Sequence, residues 1–525
     1  MRPLAKLFVL FFSTLLLMSC SDSKSKLPSN LKLRIGGEPT LLNPILSTDS
    51  ASSTAEDFIF SGLLRVNSDL KLEPDLADSF EISKDGKTYT FYLKKNVLWH
   101  DGHPFDAEDV AFTFHKILDP ETRTVRRSNY VVSGKPVQIS IVDTHTLKFI
   151  LPVPFSPFLS NLTMGILPHH ILVSANINTT TFNRQPIGTG PFIFDRWESG
   201  QFVRLKKFDR YYGPKPKLDA ITIQIIPDYN TGLAAFKKGE LHLQDIQPKD
   251  RATVSGNGTL YSYDTLSYTF VGFNLKHPLF KDPTIRKAIV YGINQDILVT
   301  HVLEGFGAPV SIPNVPSSWA YPEDAQIFQT PYDPEKSKQL LRSAGFQWNA
   351  KSKLFEKNGQ SLQFTLITSK GQTERIKSAE IIQQFLREIG IDMKIQIIEW
   401  SALVKKLSGA KDPKDFDAVL LGWSLGIDPD SYSIWHSSEY PNGFNFIGYA
   451  NPIVDNALVA ARIETNSKKR ASLYRTAYEQ IAKDSPYLFL YTPKAMVGVH
   501  PNVKGLAKPG PGGLLNPIES VYLHP

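Results

Sequence analysis

A single cysteine, Cys20, stands in a chain of 525 residues. Without a second thiol there is no intrachain disulfide, and no zinc or iron–sulfur centre built on cysteine. Long apolar runs are missing as well. The longest, Leu7 to Met18, is interrupted by Ser13 and Thr14 and falls short of the ~20 residues a bilayer-spanning helix needs. Nor is charge of one sign gathered anywhere. Lysine and arginine number 58 against 51 acids, a formal +7. The densest basic clusters, Lys468-Lys469-Arg470, Arg126-Arg127 and Lys206-Lys207, are too short and scattered to track a phosphate backbone, which argues against a nucleic-acid partner. There is no internal repeat, and the only biased segment is the tail at Pro509-Gly-Pro-Gly-Gly.

What is present is a globular balance: 42% hydrophobic, 11% aromatic and 21% charged residues, enough apolar surface to offset chain entropy. The length implies two to four domains of ~100 to 200 residues each. Arg2 and Lys6 precede the apolar run, which ends in small residues, so residues 1–19 read as a secretory signal. Leu17-Met18-Ser19-Cys20 is similar to a bacterial lipobox, in which the cysteine is acylated and becomes the new N-terminus. Two acyl chains there anchor firmly, whereas one binds reversibly. Removing residues 1–19 takes away Arg2 and Lys6 and no acid, lowering +7 to +5. Residues 20–30 are polar and read as a flexible tether.

Further along, strands and helices alternate. Leu362 to Thr368 is an apolar extended run; Ile376, Ala379, Ile382, Leu386 and Ile389 then recur at helical spacing from Thr373, and Gly390 supplies a stop. Ile391, Met393, Ile395 and Ile397 alternate with polar residues as a second strand. This is a parallel β-α-β crossover. A second unit runs from Ile221, Ile223 and Ile225 through a helix over Gly232–Lys238 to a strand over Leu241–Leu243. Two such units predict two α/β lobes. Between residues 60 and 180 the texture is of hairpins, with Ser83-Lys-Asp-Gly-Lys as a turn before a strand over Tyr89–Leu93. A small inserted α+β domain is expected there.

Several segments then carry a family likeness: Asp75-Leu-Ala-Asp-Ser-Phe-Glu-Ile-Ser-Lys-Asp-Gly-Lys-Thr-Tyr-Thr-Phe-Tyr-Leu, Trp99-His-Asp-Gly-His-Pro-Phe-Asp-Ala-Glu-Asp-Val and Ile166-Leu-Pro-His-His-Ile-Leu. They are followed by Pro186-Ile-Gly-Thr-Gly-Pro-Phe, Arg210-Tyr-Tyr-Gly-Pro-Lys-Pro-Lys-Leu-Asp, Leu233-Ala-Ala-Phe-Lys-Lys-Gly-Glu, Asp282-Pro-Thr-Ile-Arg-Lys-Ala-Ile, Tyr332-Asp-Pro-Glu-Lys-Ser-Lys-Gln-Leu-Leu and Phe416 to Trp423. In this order and spacing they resemble the family 5 extracellular solute-binding proteins, the peptide-binding lipoproteins of ABC importers, from about residue 31 to about residue 500. The resemblance implies a bilobed α/β fold of the type II periplasmic binding proteins with an additional small α+β domain. The expected layout is lobe I from 31–60, 181–273 and 491–525, the small domain over 61–180, and lobe II over 274–490. Closure about crossovers near Phe273–Asn274 and Leu490–Thr492 would bury the ligand.

Residue by residue, the resemblance makes Gly422, Trp423 and Ser424 one main-chain rail for an extended peptide, with Glu38-Pro39-Thr40-Leu41 opposing it from the other lobe. Trp423 and Trp400 would wall side-chain pockets, although core filling is the plainer role for either. The chain also departs from its relatives. Where peptide binders hold an aspartate three residues after the rail tryptophan, this chain has Gly426, so Asp428 or Asp430 is a candidate for the ligand's α-ammonium. Leu420 stands where some relatives hold arginine. Lys370 is the first candidate for a ligand carboxylate and Arg375 the second. The implied partners are a peptide, a permease with its ATPases, and a membrane reached through lipid on Cys20; the protein is expected to be a monomer without a cofactor. Murein peptides, nickel chelates and haem are alternative ligands within the family.

Two catalytic or metal readings compete. His100 and His103 flank Asp101-Gly102, which reads as a tight turn with no further metal ligand evident. Gly422-Trp423-Ser424-Leu425-Gly426 satisfies a nucleophile-elbow pattern, with His436 or His500 as base, but Asp428-Pro429-Asp430 breaks the helix such an elbow requires. The expectation is a binding protein, not an enzyme.

Overall fold

The computed structural model describes residues 29–524; Cys20, the signal and most of the tether lie outside them. The first body is built on a four-stranded sheet in the order Asn30–Ile35, Ala220–Ile225, Phe202–Lys207, Phe192–Glu198, the first pair parallel and the others antiparallel. Leu31, Leu33 and Ile35 share a core with Ile221, Ile223 and Ile225. A second sheet, Ala77–Ile82, Thr88–Leu93, Thr146–Ile150, Gln138–Asp143, is wholly antiparallel. The expected turn joins its first two strands: Ser83 N–H bonds the Thr88 carbonyl at 2.9 Å, and Gly86 takes φ +68°, a conformation that costs glycine nothing. The helix Ala107–Leu118 backs this sheet. Asp106 caps it by accepting from Glu108 N–H, and Asp109 returns the bond to the cap. The hairpin region does not have a core of its own; Phe91, Phe114 and Phe149 belong to the same apolar cluster as the first sheet.

The second body holds a six-stranded mixed sheet in the order Gly307–Pro309, Tyr487–Pro493, Ser267–Phe273, Ala418–Ser424, Gln363–Ser369, Asp392–Ile398. Its last three strands are parallel, with Thr373–Glu388 as the crossover helix. That helix ends where Gly390 adopts φ +85° against Trp348 and Phe355. The sheet is covered on both faces. Tyr487 and Phe489 enter one cluster with Trp435, Tyr474 and Tyr478, whereas Leu488 and Leu490 enter another with Ile285, Leu298 and Leu386, as the period-two alternation of a strand demands.

Two expectations are corrected here. The strand after the helix Tyr229–Lys237 is Leu243–Asp245, and it joins a separate three-stranded sheet with Ala495–Val499 and Thr259–Tyr263 instead of pairing beside Ala220–Ile225. The crossovers also sit further out than Phe273–Asn274 and Leu490–Thr492. Ser267–Phe273 and Tyr487–Pro493 are integral strands of the second sheet, so the chain passes over at Asp264–Leu266 and returns at Pro493–Lys494. A bond from Thr265 Oγ1 to the Pro493 carbonyl (2.9 Å) and an ion pair between Lys494 Nζ and Asp264 Oδ1 (2.9 Å) clasp the two passages.

The histidine pair is structural on its His100 side. His100 is buried between the Gly190 carbonyl at its Nε2 (3.0 Å) and the Gly188 N–H at its Nδ1 (3.1 Å). Burial lowers its pKa to about 4, and both ring nitrogens are engaged. His103 stacks on His170 with centroids 4.0 Å apart.

Candidate functional site

The rail begins as an ordinary core strand. Ala418 to Leu421 are buried, and the chain then emerges at Gly422, Trp423 and Ser424. On one side, Gly422, Trp423 and Ser424 pair with Thr269, Tyr268 and Ser267. On the other, the parallel neighbour reaches only Ala418 and Val419, and the Leu420 carbonyl is taken by Thr368 Oγ1 at 3.0 Å. Among the described residues, no strand pairs that edge from Gly422 to Ser424. An unpaired strand edge is a template for an added strand. The approach at Gly422 is close: a Cβ there would stand 2.8 Å from Arg375 Nη2 and 3.1 Å from the Tyr268 carbonyl, so the flexible arginine end would have to shift.

This edge faces a cleft of about 1230 Å³ between the two bodies, larger than the ~300 to 1,000 Å³ of common small-molecule sites. Trp423 walls it with its ring parallel to Phe270 and packed against Phe444 and Phe446. Trp400 lines it too, and reaches across to donate from Nε1 to Asp49 Oδ1 at 3.3 Å. Lys370 lies at its edge, paired with Glu399 at 3.2 Å; both side chains are more than half exposed, so the pair is worth ~1 kcal/mol at most.

Three of the sequence expectations are repositioned. Glu38, Pro39, Thr40 and Leu41 do not line the cleft; the opposing wall comes from Arg34 to Gly37 and from Ser47 onward. Glu38 instead accepts from Trp197 Nε1 at 3.0 Å, and Thr40 bonds Asp49 at 2.6 Å. Asp428 faces an adjoining chamber of about 500 Å³ together with Gly426 and Asp430. Both of its oxygens are held by Arg470, at 2.9 and 2.8 Å, and Asp430 is held by Arg462 at 2.8 Å. Ser424 lacks the partners of a nucleophile. No histidine bonds it among the described residues; His436 Nδ1 meets Ser438 and His500 Nδ1 meets Asn502, each at 2.7 Å.

The cleft carries charges that sequence reading passed over. The helix Ser50–Ile59 turns Ser50, Ser53, Thr54 and Asp57 toward the cleft, at the i, i+3, i+4, i+7 spacing of one helical face. That polar stripe is the signal that was there to find. Asp57 and Asp245 are both exposed and both open into the cleft. Arg375, the second-choice cation, also lines it. Its guanidinium makes no hydrogen bond or ion pair among the described residues, and burial lowers its pKa.

The bodies touch around the cleft. Arg462 Nη1 bonds the Ser128 carbonyl at 2.9 Å, Ser156 Oγ bonds the Glu464 carbonyl at 2.6 Å, and Arg251 Nη1 pairs with Glu304 at 2.6 Å. At Gly371, φ is +86°, and a Cβ would fall 2.4 Å from the Gly36 carbonyl of the other body. Gly371→Ala therefore acts as a wedge. It is expected to cost ~1 to 2 kcal/mol of backbone strain and to prop the cleft open. Small-angle scattering should then show no ligand-induced contraction of the variant; the same contraction in variant and parent contradicts this placement.

Two α/β bodies, joined by clasped crossovers and closed on a groove with an unpaired strand edge, define a two-lobed binding protein. A family model described as bacterial extracellular solute-binding proteins, family 5 Middle, matches residues 71–445, and the chain belongs to that family. It is 35% identical over 522 residues to the oligopeptide-binding protein AppA of Bacillus subtilis, covering 96% of this chain and 95% of the relative. The solved structure of Bacillus subtilis AppA in complex with a nonapeptide superposes with a TM-score of 0.90 at 33% identity, covering 95% of this chain and 100% of that one. NikZ from Campylobacter jejuni, in complex with Ni(L-His), gives 0.84 at 29%, covering 94% and 99%. Like these relatives, the chain is a substrate-binding protein and not an enzyme.

Proposed function

We propose that this protein is the oligopeptide-binding component of an ABC importer, capturing an extended peptide between its lobes and handing it to a membrane permease. The observation that carries the reading is the unpaired edge from Gly422 to Ser424, facing a cleft of about 1230 Å³. Main-chain pairing is blind to side chains, and the aromatic walls at Trp423 and Trp400 leave room for varied ones. Full-length similarity to the peptide-binding AppA supports the same ligand class. The peptide's carboxylate goes to Arg375, a cleft cation with no hydrogen bond or ion pair among the described residues, with Lys370 already shared with Glu399. Isothermal calorimetry with a random nonapeptide pool, a murein tripeptide and a nickel–histidine complex tests the reading. Heat is expected from the nonapeptides. Silence there with tight binding of the nickel complex overturns it.

The protein works outside the cytoplasm, held by lipid on Cys20. The support is the Leu17-Met18-Ser19-Cys20 sequence after a short apolar run. Cys20→Ser is expected to move the protein from the membrane fraction to the soluble one; unchanged sedimentation with membranes contradicts the anchor.

A further inference from the structure

Resting on the peptide reading, we propose that Asp57 anchors a cationic group of the ligand, an ammonium or guanidinium, in place of the aspartate absent at Gly426. Gly426 lines the adjoining chamber, not the main cleft, and the two acids beside it are engaged: Asp428 by Arg470 and Asp430 by Arg462. Among the described residues, no carboxylate lining that chamber is unpaired. Among the acids that line the main cleft, Asp49 is bonded to Ser52, Thr40 and Trp400, Asp75 to Tyr212, and Glu519 to Tyr211. Asp245 has Arg34 beside it as an opposing charge. Asp57 alone has neither a hydrogen bond nor a neighbouring cation among the described residues.

Its surroundings explain why. The next residue back, Glu56, is buried, accepts from Ser47 Oγ at 2.8 Å and has Arg126 as its neighbouring cation. The hydroxyl of Thr54 bonds the Ser50 carbonyl at 2.8 Å and that of Ser53 the same carbonyl at 3.2 Å. Asp57 is exposed, and the surface it shows faces the cleft. A ligand cation entering the cleft is held there by a charge-assisted bond. The helix itself is fixed by its cap, where Asp49 accepts from Ser52 N–H at 2.9 Å, so Asp57 is presented on a rigid element and not on a loop.

The cation comes from the peptide's α-amino group or from a lysine or arginine side chain, and the test separates these. Four probes are compared by calorimetry: a random nonapeptide pool, the same pool N-acetylated, a pool lacking lysine and arginine, and that last pool N-acetylated. The unaltered protein is expected to lose about tenfold or more in affinity when the relevant cation is removed. Loss on acetylation assigns the α-ammonium, and loss with the basic side chains assigns those. In Asp57→Asn, which keeps the shape and removes the charge, that discrimination should vanish, while thermal unfolding of the empty protein stays within a few degrees of the parent. Discrimination that persists in Asp57→Asn overturns the assignment of Asp57 alone. Failure of the unaltered protein to bind any pool overturns the peptide reading and this assignment with it.

Discussion

Arg470→Met is expected to cost the second body ~3 to 5 kcal/mol of stability, the range for breaking a buried ion pair from one side. Arg470 and Asp428 are 6% and 16% exposed, and the guanidinium binds both carboxylate oxygens, the Ala461 carbonyl and the Tyr474 hydroxyl. Removing it strands a buried carboxylate. The double substitution Arg470→Met with Asp428→Leu should recover much of the loss, because replacing both members of such a pair by apolar groups is often close to neutral. Urea unfolding of the three proteins checks this. A single substitution costing under ~1 kcal/mol shows that the pair does not secure the loop that follows the rail.

Arg375→Gln should act in the opposite place. The empty protein loses a guanidinium that has no hydrogen bond or ion pair among the described residues and whose pKa burial lowers, so its melting temperature is expected to hold or rise. Peptide affinity, by contrast, should fall at least about tenfold, since a charge-assisted bond to a terminus contributes ~1.5 to 3 kcal/mol. The two readouts moving apart distinguish a ligand anchor from a structural residue. Equal peptide affinity in Arg375→Gln and parent, with Lys370→Ala weakened instead, returns the carboxylate to Lys370. The Arg375 guanidinium also lies close to Gly422, and glutamine keeps the polar stem while removing the charged end.

How much of this was legible depends on whether the deciding contact was local. The unit from Gln363 to Ile398 could be read almost to the residue, because its strand alternation, its helical period and the stop at Gly390 all lie within one stretch. The strand that ends at Ser424 could be read because Phe416 to Trp423 is a contiguous motif. Asp428 misled for the opposite reason: a lone acid after the rail looks available, and Arg470, its partner 42 residues on, is brought to it only by packing. Glu38 to Leu41 missed the cleft wall by a few residues, since which loop atoms face a groove is settled by the helix packed beneath them. Asp57 went unread because Ser50, Ser53, Thr54 and Asp57 look like a solvated helix face; the solvent they face is the cleft. The crossovers were placed too far inward because Ser267–Phe273, buried almost throughout, carries no mark of which sheet it completes.

The central claim is that the closed cleft holds an extended peptide against the edge at Gly422 to Ser424. Native mass spectrometry of the protein as isolated from its producing cells, followed by release and fragmentation of whatever it carries, tests this most directly. The expected result is a set of adducts that fragment as linear peptides of several residues with mixed sequence. Adducts that resolve only as metal chelates, or as one small non-peptide solute, would contradict it.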